Sequence, residues 1–178
     1  MSSSELQQLY QQIILDHAKY RHGASAEPFG VFDADGAPGL RLAESHQVNT
    51  TCGDEITVRV GVRAGSVPAP APVIEQFVWR GDGCSISMAS ASVLADTMTG
   101  LTVAEAEALV TTFRELLRSR GTIEPDEEVL GDAAAFAGVS KYPARVKCAM
   151  LPWVAFEAAL MQVAAASAAP AAPASPLA

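Results

Sequence analysis

From Cys52 the chain reads C-G-D-E-I-T-V-R-V-G-V-R, and the alternation that follows Cys52-Gly53-Asp54 constrains the fold more than any other segment. Ile56, Val58, Val60 and Val62 point one way, while Thr57, Arg59, Gly61 and Arg63 point the other. A period of two puts successive side chains on opposite faces of a strand, so one face seeks a core and the other meets water. A half-buried strand needs a neighbour and a cover. The Pro-rich stretch Ala64–Pro72 supplies a turn. Val73–Arg80, with Phe77 and Trp79 on one face, then supplies a second strand, which predicts a hairpin with a long loop.

Helices follow. Gly81-Asp82-Gly83 breaks the second strand, and Cys84 opens a helix of small residues that ends at Gly100. Thr102 with Glu105 is a capping box for the next helix, whose apolar face carries Val103, Ala106, Val110, Phe113 and Leu117 before Gly121 stops it. A short helix is predicted near Glu127–Ala137. Pro143 suits the first turn of a last helix that carries Arg145, Cys148, Trp153, Phe156 and Leu160. Upstream, Ser4 with Gln7 predicts the cap of an N-terminal helix, with Leu6, Leu9, Tyr10, Ile13, Ile14 and His17 on one face. Residues Arg21–Glu44 carry Gly, Pro and Asp at short intervals and read as an irregular connection. From about Ala164 the sequence is Ala/Pro/Ser of low complexity. That reading gives a domain over 1–163 and a disordered tail over 164–178. There is no internal repeat. Strands early and helices late predict an α+β domain, with helices packed on a small antiparallel sheet.

Length and charge narrow the function. The 178 residues suit one domain, and 49% hydrophobic against 18% charged residues excludes a fully disordered chain. A net charge of −8 without clustered cations argues against nucleic acid as a partner. No apolar run approaches the ~20 residues that a bilayer requires, so no membrane association is expected. The opening MSSSELQQLYQQ has no cationic region followed by an apolar one, which is unlike a secretory signal and predicts a cytoplasmic protein. The three cysteines, Cys52, Cys84 and Cys148, cannot all pair within one chain. In a reducing compartment they read as free thiols, metal ligands or nucleophiles.

Cys52, Asp54, Cys84 and Cys148 are the residues that carry chemistry. C-x-D with an intervening glycine can turn a thiolate and a carboxylate toward one point. Cys84 follows G-D-G at a helix start, where unpaired N–H groups and the helix dipole favour a thiolate. Cys148 lies inside a helix, and Arg145, three residues earlier, shares its face. Three thiolates and a carboxylate can close a tetrahedral zinc or ferrous site. A guanidinium beside Cys148 offsets part of the excess negative charge. Separations of 32 and 64 residues carry little information by themselves, and a lone cysteine is often just a small buried hydrophobe.

The blocks LYQQIILDHAKYRHG, NTTCGDEITV, GDGCSISMASASVL and FAGVSKYPARVKCAMLPW, in that order, resemble the SufU branch of the IscU/NifU-like iron–sulfur assembly family. The match runs from about Leu6 to Leu160. The resemblance implies a three-stranded antiparallel sheet packed with helices, a SufE/NifU-like sandwich. It also implies metal ligation by Cys52, Asp54, Cys84 and Cys148, with Arg145 as the arginine near the site. In IscU a histidine immediately precedes the third cysteine; here Lys147 stands there, and KYPARVK replaces the Leu-Pro-Pro-Val-Lys segment. The stretch between Cys84 and Cys148 has room for the extra helical segment, about Thr102–Arg120, typical of SufU-like proteins.

The resemblance thus implies a zinc-dependent sulfur acceptor that activates a SufS-type cysteine desulfurase and passes sulfur to downstream Suf assembly proteins. A desulfurase histidine would take the place of one thiolate at zinc. Cys52, on a turn beside Gly53, is the expected acceptor. The alternatives are a scaffold that builds a [2Fe–2S] cluster on the same four residues, with iron in place of zinc, and a structural zinc domain that only binds partners. His17 is expected to be a packed or surface helix residue, and His22 and His46 loop residues, rather than ligands. Pro152 is expected to kink the last helix near its end, or else to free the Cys148 carbonyl. The FDADGAPGLRLAE stretch and the PAPAP turn read as surface loops, and EPDEE (Glu124–Glu128) as a solvated acidic loop open to a basic partner.

Overall fold

The alternating segment forms the middle strand of a three-stranded sheet. The computed structural model describes residues 2–30, 37–66, 68 and 70–168. Strand β2 (Asp54–Arg63) pairs antiparallel with β1 (Leu40–Asn49) on one side and β3 (Val73–Asp82) on the other, in the order β1-β2-β3. Ile56, Val58 and Val60 are fully buried, as their period demands. The β2–β3 hairpin is as expected; parts of its Pro-rich turn lie outside the described residues.

β1 corrects the sequence reading. The irregular connection ends at Leu40 rather than Glu44, so the LRLAE segment is strand, and His46 lies on that strand and not in a loop. β1 escapes a periodicity test because it is an edge strand with polar residues along much of its length; the buried positions are Leu40, Ala43, Ser45 and Asn49. Cross-strand polar contacts serve it instead. Arg59 pairs with Glu44 at 2.7 Å, and His46 Nδ1 meets Thr57 Oγ1 at 2.9 Å.

The described residues hold five α-helices: α1 (Ser3–Tyr20), α2 (Ser85–Met98), α3 (Val103–Arg118), α4 (Glu127–Leu130) and α5 (Pro143–Ala168). α1 is capped by Ser2 and Glu5, not by Ser4 and Gln7. Both pairs have the capping-box spacing, and the carboxylate is the better partner for the positive end of a helix. The Thr102–Glu105 box of α3 is as predicted. The helix expected over Glu127–Ala137 is one α-helical turn followed by a 3₁₀ segment, Gly131–Lys141. Gly131, at φ +52°, ends the α-turn, and Ala133–Ala135 then pack in the core.

α5 begins at Pro143 as predicted and reaches Ala168, so the first residues of the expected tail are helical; the rest lie outside the described residues. By length and composition α5 could span a membrane, which corrects the reading from apolar runs. Its apolar surface serves the core: it packs on β1, β2 and α2, and Trp153 and Phe156 are fully buried. Trp153 stacks on Phe113 at 4.0 Å between ring centroids, and its indole N–H donates to Ser90 Oγ at 2.9 Å. Pro152, buried, sits in the first half of α5 rather than near its end. The N-terminal end of α5 faces the β1–β2 turn through Cys148.

Candidate metal centre

The β1–β2 connection is a four-residue turn, Thr50–Gly53, and Asn49 builds it. The Asn49 carbonyl accepts the N–H groups of Cys52 (3.2 Å) and Gly53 (2.8 Å). Its side-chain oxygen accepts the Thr51 N–H at 3.1 Å. Gly53 closes the turn at φ +77°, a conformation that side chains other than glycine adopt at a cost. Cys52 is therefore presented at the tip, exposed, and Asp54 enters β2 directly behind it, buried.

The end of β3 closes onto that carboxylate. A Cβ on Gly83 would stand 2.8 Å from Asp54 Cγ, so only glycine lets the chain pass there. The next residue, Cys84, is the N-cap of α2 and donates its backbone N–H to Asp54 Oδ1 at 3.0 Å. Its thiol lies 3.4 Å from Asp54 Oδ2, which also accepts from the buried Ser87 hydroxyl at 2.8 Å. Burial alone pushes the Asp54 carboxyl up. The hydrogen bonds from Ser87, the Cys84 backbone and the Cys148 and Cys84 thiols outweigh it, so Asp54 titrates below its ordinary value and is held as a carboxylate.

α5 contributes Cys148, fully buried, with its sulfur 3.2 Å from that of Cys52. Asn49 Nδ2 donates to both sulfurs, at 3.4 Å to Cys52 and 3.6 Å to Cys148. Burial, then the neighbouring Cys52, Asp54 and Cys84, push the Cys148 thiol well above the usual range. Without a cation the Cys148 thiol resists ionising. Arg145 supplies one positive charge: it lines the cleft of about 560 Å³ with Cys52, Asp54, Asp82 and Cys84. The charge on Cys84, followed by the hydrogen bond with Cys148, holds its guanidinium protonated more firmly still.

Three of the four donors fit a single ion as they stand. Ligand atoms of Cys52, Asp54 and Cys148 lie within 4.8 Å of one another, and the Cys84 sulfur stands beside them at Asp54. A tetrahedral zinc with Zn–S near ~2.3 Å needs donor–donor edges of roughly 3.6–3.8 Å. The Cys52–Cys148 and Cys84–Asp54 separations, 3.2 Å and 3.4 Å, reach that with shifts of a few tenths of an ångström, whereas the Cys84 sulfur lies outside the group of three and must swing inward to complete the four. Three thiols with one carboxylate is a donor set that suits zinc or ferrous iron.

Four of the five residues singled out in the sequence thus line one cleft, and the fifth, Cys148, is buried behind it with its sulfur against that of Cys52. Asn49 and Ser87 were missed there. Their only signals are an Asn three residues before a cysteine and a Ser three residues after one, patterns common in any turn or helix. The histidines stand apart. His17 is buried, with Nδ1 against Ser92 Oγ (2.8 Å) and Nε2 against Asp132 (3.1 Å); His22 pairs with Asp96 at 2.5 Å. These three, His17, His22 and Asp96, are close enough to share an ion. However, His17 Nδ1 is engaged by Ser92 Oγ and Nε2 by Asp132, and Ser92 Oγ also accepts the His22 N–H at 2.9 Å, so both ring nitrogens of His17 already have protein partners. His17 is thus packed, one of the two placements expected of it. Two larger cavities, of about 750 Å³ beside α1 and about 670 Å³ beside β3, contain no cysteine, and donor chemistry rather than cavity size marks the site.

Comparison with known proteins gives the family and the fold. A family model described as the NifU-like N terminal domain matches residues 9–149. The chain is 34% identical to the iron–sulfur cluster assembly scaffold protein IscU of Streptococcus pyogenes serotype M1, over 92% of this chain and 90% of that one. It is 33% identical to the zinc-dependent sulfurtransferase SufU of Bacillus subtilis (strain 168), over 87% and 91% respectively. Among solved structures, the N-terminal part of a NifU-like protein from Brucella abortus superposes with a TM-score of 0.66 at 25% identity, covering 88% of this chain and 94% of that one. The two named relatives differ in chemistry at almost equal identity, so identity does not choose between them.

Proposed function

The chain belongs to the NifU-like N-terminal domain family, and from that premise we propose that it is a zinc-dependent sulfur acceptor in iron–sulfur cluster biogenesis. Its donor would be a SufS-type cysteine desulfurase, and downstream Suf assembly proteins would take the sulfur on. Cys52, Asp54, Cys84 and Cys148 would hold the metal. The observation that carries the reading is the convergence of three of these donors, Cys52, Asp54 and Cys148, within 4.8 Å of one another, with the Cys84 sulfur against Asp54 and Cys52 the single exposed sulfur of the three cysteines. A [2Fe–2S] cluster divides its four ligands between two irons, whereas here three donor atoms already crowd within 4.8 Å. Lys147 in place of the histidine of IscU, and α3 between Cys84 and Cys148, add support from the branch.

When bound, zinc would keep the thiols deprotonated and shielded from oxidation. The remaining roles fall to the chain. Asp54 and Cys84 are fixed by backbone and by Ser87, and Cys148 by its helix, so Cys52 is the sulfur free to meet another protein. As a thiolate outside the ligand set it attacks the terminal sulfur of the donor's persulfide. The donor S–S bond breaks, a new S–S bond forms on Cys52, and the donor cysteine leaves as a thiolate, so no oxidant is consumed. Arg145 at the cleft offsets the negative charge that gathers there. Three free thiols suit work in the cytoplasm.

The test is metal analysis of the purified protein, followed by mass spectrometry after incubation with a SufS-type desulfurase and cysteine. About one zinc per chain, a faster desulfurase and added sulfur on the Cys52 peptide are expected. Sulfur on Cys84 or Cys148 overturns the assignment. An iron-dependent chromophore with no persulfide would make the protein a scaffold instead.

A further inference from the structure

Four donors meet at the site, and they are held as two pairs. Asp54 and Cys84 are clamped by the Cys84 N–H and by Ser87. Cys52 and Cys148, 96 residues apart in sequence and brought together from a turn and a helix, share a different partner, the side-chain amide of Asn49. We infer that Asn49 is a positioning residue of the metal centre: its amide N–H groups hold the Cys52 and Cys148 sulfurs together at coordinating distance.

The geometry assigns the amide's orientation. The Thr51 N–H can bond only an acceptor, so Oδ1 faces Thr51 at 3.1 Å and Nδ2 faces the sulfurs at 3.4 and 3.6 Å. Nδ2 carries two hydrogens, one for each sulfur. Asn49 is 8% exposed, so little water competes for them. Two sulfurs held 3.2 Å apart repel each other as they gain charge, and a neutral double donor at their junction reduces that repulsion without adding a charge of its own. Asn49 also pairs with Asp54 across the β1–β2 register, which fixes its backbone at the foot of the site. The amide has a second consequence. A Cys52 sulfur that has left the metal stays tied to the turn, so it can return to the ligand set.

The inference rests on the metal-centre reading, and the experiment separates the two. The rival is that Asn49 serves only the turn. Asn49→Ser keeps a side-chain oxygen able to accept the Thr51 N–H but no longer reaches the sulfurs. Asn49→Asp keeps the acceptor at full reach and turns a carboxylate toward them. Asn49→Ala removes both functions. Each variant is measured by zinc competition against a chelator, by the sulfur-to-metal absorption band of the cobalt(II)-substituted protein, and by melting of the metal-free form. Asn49→Ser should bind zinc 10–100-fold more weakly, the usual loss for a partner that orients a ligand, and its cobalt band should move to lower energy. Asn49→Asp should lose more than Asn49→Ser while its metal-free form melts close to the parent. If Asn49→Ser does not fold, Asn49→Asp carries the comparison.

Parent-like affinity and an unshifted band in both Asn49→Ser and Asn49→Asp, with a defect in Asn49→Ala alone, would reduce Asn49 to a turn residue and overturn the inference. A parent protein that shows no sulfur-to-cobalt band would overturn the metal-centre reading itself, and this inference with it.

Discussion

Gly83→Ala tests whether the carboxylate is as tightly placed as the contacts imply. The φ of Gly83 lies outside the left-handed region, so backbone strain is not at issue and the added methyl is the whole perturbation. That methyl would lie 2.8 Å from Asp54 Cγ and 2.9 Å from both Cβ and Oδ1. Carbon atoms rest at about 3.5–4.0 Å, so one side must retreat by roughly 0.7–1.2 Å. Asp54 is buried, and its bonds to Ser87 and the Cys84 N–H, now 2.8 and 3.0 Å, would stretch past bonding range. Overpacking costs about 1–3 kcal/mol and each bond to a charged group about 1.5–3 kcal/mol, partly the same energy, so about 2–4 kcal/mol is expected. For a domain of this size that lowers the melting temperature by about 5–15 °C. Calorimetry of the metal-free protein reads it, and zinc competition should show a further 10–100-fold loss of affinity. Gly53→Ala is the control: a Cβ there meets nothing within 4 Å, so only the cost of φ +77°, about 1–2 kcal/mol, applies. A Gly83→Ala protein within 1 kcal/mol of the parent, with unchanged zinc affinity, would refute the tight carboxylate site.

Two further outcomes follow from the same structure. Stripping the metal with a chelator should lower the melting temperature, because a ligand that binds only the native state stabilises it by an amount that grows with ligand concentration; an unchanged melting temperature with metal removal verified would detach the site from folding. Burial and then the hydrogen bond to Glu127 raise the Tyr10 hydroxyl from about 10 to about 12. The unfolded chain therefore loses that proton first, and stability should fall between pH 10 and 12. Denaturant titrations across that range should show a smaller fall in Tyr10→Phe, and parallel curves would remove Tyr10 from the pH dependence.

Legibility from sequence depended on whether a residue's neighbours lie nearby in the chain. β2 declares itself because its buried and exposed residues alternate without a break. The α3 cap does so because Thr102 and Glu105 need only each other. β1 is hidden because an edge strand draws much of its stability from partners across the ladder, such as Arg59 for Glu44, that no local pattern contains. The 3₁₀ segment is hidden because its alanines suit an α-helix by propensity, and Gly131 at φ +52° decides otherwise. At the site, thiols, a carboxylate and a guanidinium are rare enough in combination to be noticed. Asn49 and Ser87 are not rare, and they acquire meaning only once the fold sets a turn against a helix and a carboxylate against a helix start.

That division has a mechanical consequence. Asp54, Gly83, Cys84 and Ser87 form a closed unit in which a strand start, a strand end and a helix start are bonded to one another, and moving any of them disturbs the sheet. Cys148 is fixed by a helix that also packs on β1 and β2. Cys52 belongs to neither. It hangs on a four-residue turn whose bonds all return to Asn49, and rotating it breaks no ladder hydrogen bond. On the proposed reading, an acceptor that had to withdraw Cys84 or Cys148 would partly unfold with every turnover. One that withdraws Cys52 keeps three donors, the buried carboxylate among them, and the whole core in place. On that reading the sequence order matters less than the mounting: the reactive sulfur would be the one whose withdrawal leaves the fold intact.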